Sequence, residues 1–119
     1  MADHYLDVEG VRRYCEEIFH RHGFDRDACH QIVDVVLTAD LYGIESHGIQ
    51  RMQRYHDSLV RKLVDVNAKP EIVHETPLSA VIEANQAMGQ TTAYMAMRMA
   101  IDKAKQHGFG AVTDRKSVV

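Results

Sequence analysis

The chain has no tryptophan, two prolines and two cysteines in 119 residues. The cysteines, Cys15 and Cys29, form no CxxC pair and fall on separate expected helices, which leaves them as small buried residues. No apolar run approaches the roughly 20 residues that a membrane span needs. The opening stretch, Met1 to Asp7, is polar and shows no signal peptide, so a cytoplasmic location is the expectation. There is no basic tract. A net charge of −3 and a pI near 6.2 give no electrostatic reason to expect nucleic acid. None of the eight histidines stands in an HExxH or Cys/His pattern, so no metal site is expected. Gly108 and Gly110 do not make a GxGxxG fingerprint and Gly89 stands alone, which excludes a Rossmann dinucleotide site and a P-loop. A hydrophobic fraction of 45% and a charged fraction of 26% exclude a disordered chain.

What is present is a succession of punctuated periodic segments. Asp7 suits the cap of a helix from about Val8 to His22, with Val11, Cys15, Ile18 and Phe19 at helical spacing and Gly23 as its stop. Asp25 suits the cap of a second helix buried through Ala28, Ile32, Val33, Val36 and Leu37, ending near Asp40 to Gly43. A third helix is expected from Ser46, as its cap, to about Leu63, with Ile49, Met52, Leu59, Val60 and Leu63 on its apolar side. After a polar connector come two extended runs, Glu71–Glu75 and Ala80–Ala84. A long helix follows from Gly89 to His107, with Ala93, Met97, Ala100, Ile101 and Ala104 expected inside. Gly108 ends it before the strand-like Phe109–Val112. The fold class expected is mixed α+β and α/β. Residues 1–65 form a three-helix N-terminal segment and 66–119 the β-β-α-β start of an incomplete mixed-sheet domain. The last strand would have an uncovered apolar edge, which predicts a truncated domain.

The stretch Ala39–Tyr55 carries the chemistry. On a continuous helix each step of four drifts only about 40°, so His47, Arg51 and Tyr55 would form one stripe, joined by Arg54. A 2-oxo or 2-hydroxy acid needs a forked cation for its carboxylate, which arginine supplies. It also needs a proton donor and acceptor at its C2 oxygen, and histidine is the residue type that titrates near neutrality. Ser46 adds a hydroxyl and Gly48 room for close approach at the helix start, where the dipole favours an anion. Spacing alone does not lift this stripe above the polar side of any surface helix.

The run Asp40-Leu41-Tyr42-Gly43-Ile44-Glu45-Ser46-His47-Gly48, followed by Arg51 and Tyr55, resembles the N-terminal signature of the malate/L-lactate dehydrogenase family. Further similar pieces are Asn67-Ala68-Lys69-Pro70, Glu75-Thr76-Pro77, Met88-Gly89-Gln90 and Ala100 to Lys105, in order from about Asp3 to Val112. The resemblance implies hydride transfer between NAD or NADP and C2 of a small 2-oxo or 2-hydroxy acid. It implies His47 as proton donor and acceptor with Ser46 beside it, Arg51 on the substrate carboxylate and Tyr55 along the same wall. It further implies a homodimer and a non-Rossmann cofactor domain made by later sequence, with no cofactor contact assigned here. The tail departs from the family's Arg-Asn-Ser-x-His: Arg115 and Ser117 fit, but the histidine falls near Val119 and is absent. The expectation is therefore an N-terminal part that is inactive alone. The alternatives are a small helical binding module using the His47, Arg51 and Tyr55 stripe, or an inactive truncated paralogue that pairs with a full-length subunit.

Overall fold

Two aspartates set the first two helices in the computed structural model, which describes residues 3–118. Met1 and Ala2, within the polar opening stretch, and Val119, where the family pattern places a histidine, lie outside the described residues. Asp7 accepts the Gly10 N–H at 2.7 Å and starts α1, Val8–Arg21; Asp25 accepts the Ala28 N–H at 2.8 Å and starts α2, Arg26–Leu41. These bonds satisfy backbone donors that the first helical turn leaves without partners. Between the helices Gly23 takes a φ of 106°, a conformation open to it for want of a Cβ. Cys15, Phe19, Phe24, Cys29, Ile32, Val33 and Val36 are all buried. Phe19 and Phe24 meet edge to face with ring centres 6.0 Å apart. Arg12–Asp34, Glu16–His30 and Glu17–Arg26 pairs lace the rim of the hairpin.

Both cysteines are buried and reduced. Burial, reinforced by Glu16, raises the Cys15 thiol; burial pushes Cys29 up to about 11. A thiol-reactive disulfide reagent at neutral pH is expected to leave both intact until the chain is unfolded. Rapid labelling of the native protein would contradict this.

The chain divides between Arg54 and Tyr55 into two compact units. The first holds α1, α2 and the turns that follow. The second holds most of a short helix α3, Met52–Val60, then β1 (Glu71–Glu75), β2 (Ser79–Glu83), α4 (Gly89–His107) and β3 (Ala111–Arg115). Among the described residues the strands form one sheet ordered β1-β2-β3, with β1 and β2 antiparallel and β2 and β3 parallel around α4. The fold is thus helix-rich with a small mixed sheet, in the expected β-β-α-β order. No described helix is long and apolar enough to cross a membrane.

Two expectations need correction. The third helix is not continuous from Ser46 to Leu63: two 3-10 turns, Glu45–His47 and Ile49–Arg51, precede α3, and Gly48 between them is extended at ψ −151°. Ser46 makes no helix cap. Tyr55 and Leu59 are the buried residues of α3, while Val60 and Leu63 are exposed. The inner face of α4 is also different, since Gly89, Gln90, Thr92 and Ala96 are buried and Met97 and Ile101 are exposed.

Gly110, in the connection between α4 and β3, packs against α4 at Ala100 and Ala104. A Cβ there would lie 2.1 Å from the Ala100 carbonyl oxygen and 3.1 Å from the Ala104 nitrogen. These are backbone atoms of α4 and cannot swing aside, so the α4–β3 connection meets the helix at glycine distance. Gly110→Ala is expected to destabilise the chain by about 1–3 kcal/mol in denaturant melts, through overpacking. An unchanged midpoint would refute the contact.

At the end of β2, buried Glu83 pairs with Arg115 at 2.8 Å and Lys116 at 3.4 Å. Burial opposes its ionisation, but the Lys116 hydrogen bond and the two cationic charges outweigh it and hold the carboxyl below its ordinary value. A carboxyl with a folded pKa lower than its unfolded one stabilises the chain above the unfolded value. That contribution is lost as pH falls through the folded value. Glu83→Gln is therefore expected to flatten the acid limb of the stability curve below about pH 4.5. Parallel curves for the two proteins across that limb would contradict the assignment.

Candidate active site

The site residues follow α2 through a tight exit. Gly43 turns at φ 76°, and the Ile44 N–H returns to the Ala39 carbonyl at 2.8 Å. The next residues wind into the Glu45–His47 turn, closed by His47 N–H to the Ile44 carbonyl and Gly48 N–H to the Glu45 carbonyl, both 3.1 Å. Ser46 and His47 are exposed. The Ser46 hydroxyl lies 2.9 Å from Nδ1 of His47, so one proton is shared between them and Nε2 is left as the ring's other nitrogen.

Arg51, at the end of the second turn, is half-buried. Its Nε donates to the Ser46 carbonyl at 2.8 Å, which pins one branch of the guanidinium to the backbone of the histidine's own turn. Gln50 Nε2 donates to the Glu45 carbonyl in the same loop. Asp40, reaching from the end of α2, accepts the Ile49 N–H on Oδ2 at 2.7 Å. Ser46, His47 and Arg51 are thereby held in one bonded loop of the first unit. This loop is polar and carries an imidazole, a hydroxyl and a guanidinium. The neighbouring groove of about 210 Å³, lined by Leu6, Val8, Val11, Leu37, Leu41 and Ile49, is mostly apolar, and its one charged lining residue, Asp40, is itself a carboxylate rather than a donor for one.

Tyr55 opens the second unit and is 6% exposed. Its hydroxyl accepts a hydrogen bond from Gln90 Nε2 at 3.0 Å. Arg54 is exposed. Among the described residues no group of three or more His, Cys, Asp or Glu side chains is placed to hold a metal ion.

The family model for malate/L-lactate dehydrogenase matches residues 6–118, nearly the whole chain. The chain belongs to the malate/L-lactate dehydrogenase family. It is 33% identical over 95% of its length to a malate dehydrogenase of Pyrococcus abyssi, covering 33% of that protein. It is 36% identical over 94% of its length to an L-sulfolactate dehydrogenase of Methanocaldococcus jannaschii, again covering 33%. Its fold superimposes on the malate dehydrogenase structure from Pyrococcus horikoshii with a TM-score of 0.91, at 30% identity, over 98% of this chain and 36% of that one. The chain therefore spans about a third of the length of the relatives it matches.

In this member of the malate/L-lactate dehydrogenase family, two hydrogen-bonding residues, Asp40 in the loop of the first unit and Gln90 in the second unit, escape a reading by helical spacing. Asp40 stands within the signature run but reads from sequence only as a residue at a helix end; its bond to Ile49 crosses a glycine-rich loop. Gln90 stands in the Met88-Gly89-Gln90 piece, yet its partner Tyr55 is 35 residues away.

Family members use nicotinamide cofactors. The β2–α4 connection, where a doubly wound sheet would seat a pyrophosphate, does not fit one. The Gly89 N–H at the start of α4 already donates to the Val118 carbonyl at 2.7 Å, and Gln86 donates to Lys116. Residues Ala87 to Gln90 are buried beneath that strand-like bridge. No residue of this chain is assigned to the cofactor.

Proposed function

We propose that this segment supplies the substrate side of a 2-hydroxyacid dehydrogenase acting on malate-, lactate- or sulfolactate-like acids. The single observation that carries the proposal is the bonded loop Ser46–His47–Arg51, in which Ser46 contacts both the imidazole and, through its carbonyl, the guanidinium. His47 gives a proton to the C2 oxygen of the keto acid in reduction and takes it back in oxidation. Ser46, on Nδ1, orients the ring so that Nε2 faces the substrate. Arg51 holds the substrate carboxylate with the terminal nitrogens of its fork, its Nε being committed to the backbone. The family resemblance carries Tyr55 as a further substrate-side residue; within the second unit its hydroxyl accepts from Gln90. The nicotinamide, NAD or NADP, supplies or receives the hydride at C2. Residues 1–65 then form the substrate-side segment, and 66–119 begin the domain whose remainder serves the cofactor.

The test is oxidation of NADH and NADPH by the full protein with oxaloacetate, pyruvate and sulfopyruvate, the keto forms of acids named for its relatives. Turnover of at least one, with the 2-hydroxy acid as product, is expected. Inertness toward all three and toward longer 2-oxo acids would refute the reading.

A further inference from the structure

Asp40 occupies an unfavourable place. It lies in the last turn of α2, where the helix dipole disfavours a carboxylate, and that turn has no basic residue to offset it. The side chain is half-buried and reaches the start of the second 3-10 turn, where Oδ2 accepts the Ile49 N–H at 2.7 Å. The residue at the cap position of that turn, Gly48, has no side chain to make this bond itself.

Gly48 is buried although Ser46, His47, Ile49 and Gln50 around it are exposed. Its φ of −90° and ψ of −151° are open to any residue, so its backbone conformation does not demand glycine. Space does: a Cβ at Gly48 would lie 1.8 Å from Oδ1 and 2.5 Å from Oδ2 of Asp40. The aspartate and the glycine fit each other, and His47 is the residue immediately before the glycine. The Asp40 carbonyl also accepts the Gly43 N–H at 2.9 Å, so one residue ties down both ends of the loop 41–48.

We propose that Asp40 is a positioning residue whose carboxylate, seated on the Gly48–Ile49 backbone, fixes the turn that aims His47 and Arg51. The proposal rests on the reading of His47 and Arg51 as the substrate side of the site. It assigns Asp40 no contact with substrate. A misplacement of about 1 Å at the reacting groups costs on the order of 100-fold in rate, so the loss should appear in kcat.

Three variants of the full protein test this, with circular dichroism to confirm folding. Asp40→Ala removes the carboxylate. Gly48→Ala keeps it but expels it from its seat. Asp40→Asn preserves an acceptor oxygen of the same reach. Expected are a kcat loss of about 100-fold in the first two, and recovery to within about tenfold of the parent in the third. The Ile49 amide should exchange faster in Asp40→Ala and Gly48→Ala than in Asp40→Asn. Asp40→Ala with parental kcat, or Asp40→Asn as impaired as Asp40→Ala, would overturn the proposal. Should His47→Ala keep parental turnover, the functional reading fails separately. Ile49 exchange still decides the seating of Asp40, since unchanged protection in Asp40→Ala would refute it.

Discussion

Replacing His47 with alanine in the full protein is expected to lower kcat for 2-oxo acid reduction by about 100- to 10,000-fold, the range that a positioned general acid or base supplies. The reason lies in proton balance: hydride arriving at C2 leaves an alkoxide unless a proton reaches the oxygen in the same step. The imidazole is exposed, held through Nδ1 by Ser46, and set on a short turn closed at both ends. Losing it should leave substrate affinity nearly unchanged, because the proposed carboxylate contact is made by Arg51. Ser46→Ala should lower kcat less, since it removes only a hydrogen bond that orients the ring, of about 0.5–1.5 kcal/mol. A His30→Ala control, altering a histidine paired with Glu16 on the helical hairpin, should leave kinetics intact. Steady-state kinetics on all three variants checks the order His47, then Ser46, then His30.

Arg51→Ala should act on the other kinetic constant. A hydrogen bond to a charged group contributes about 1.5–3 kcal/mol, so KM for the keto acid should rise on the order of 10- to 100-fold. Some loss in kcat should accompany it, because Nε of Arg51 also braces the Ser46 carbonyl. Arg51→Lys should recover little: an ammonium can meet a carboxylate as a point charge but cannot make the Nε bond and the fork together. Competition by oxamate, an unreactive mimic of a 2-oxo acid, measures the same contact without turnover. Its inhibition should weaken in parallel with KM, and undiminished inhibition would show that Arg51 is not on the carboxylate.

Much of the fold could be read from local chemistry. Asp7 and Asp25 begin their helices, Gly23 and Gly108 take positive φ at helix ends, and β1 and α4 lie where the punctuation places them. These features depend on a few neighbouring residues, so sequence carries them. The failures are non-local. Helical spacing places Tyr55 beside His47 and Arg51 only if the helix runs unbroken, and an extended Gly48 interrupts it. The space beside Gly48 is taken by the Asp40 carboxylate, eight residues earlier, so the adjacent residues do not announce it. Apolar residues occur on two sides of α4, so periodicity cannot choose between the Met97–Ile101 side and the Thr92–Ala96 side. The chemical types of the site, by contrast, were legible as the compact Ser46-His47-Gly48 run with Arg51. Their arrangement as a bonded loop, rather than a helix stripe, required the structure.

The most direct test of the account is paired kinetics of the full protein and its His47→Ala and Arg51→Ala variants with reduced nicotinamide and the keto acids named above. The account predicts conversion to the 2-hydroxy acid by the parent, loss mainly in kcat for His47→Ala, and loss mainly in KM for Arg51→Ala. Parental kcat and KM in both variants, on a keto acid that the parent reduces, would contradict it.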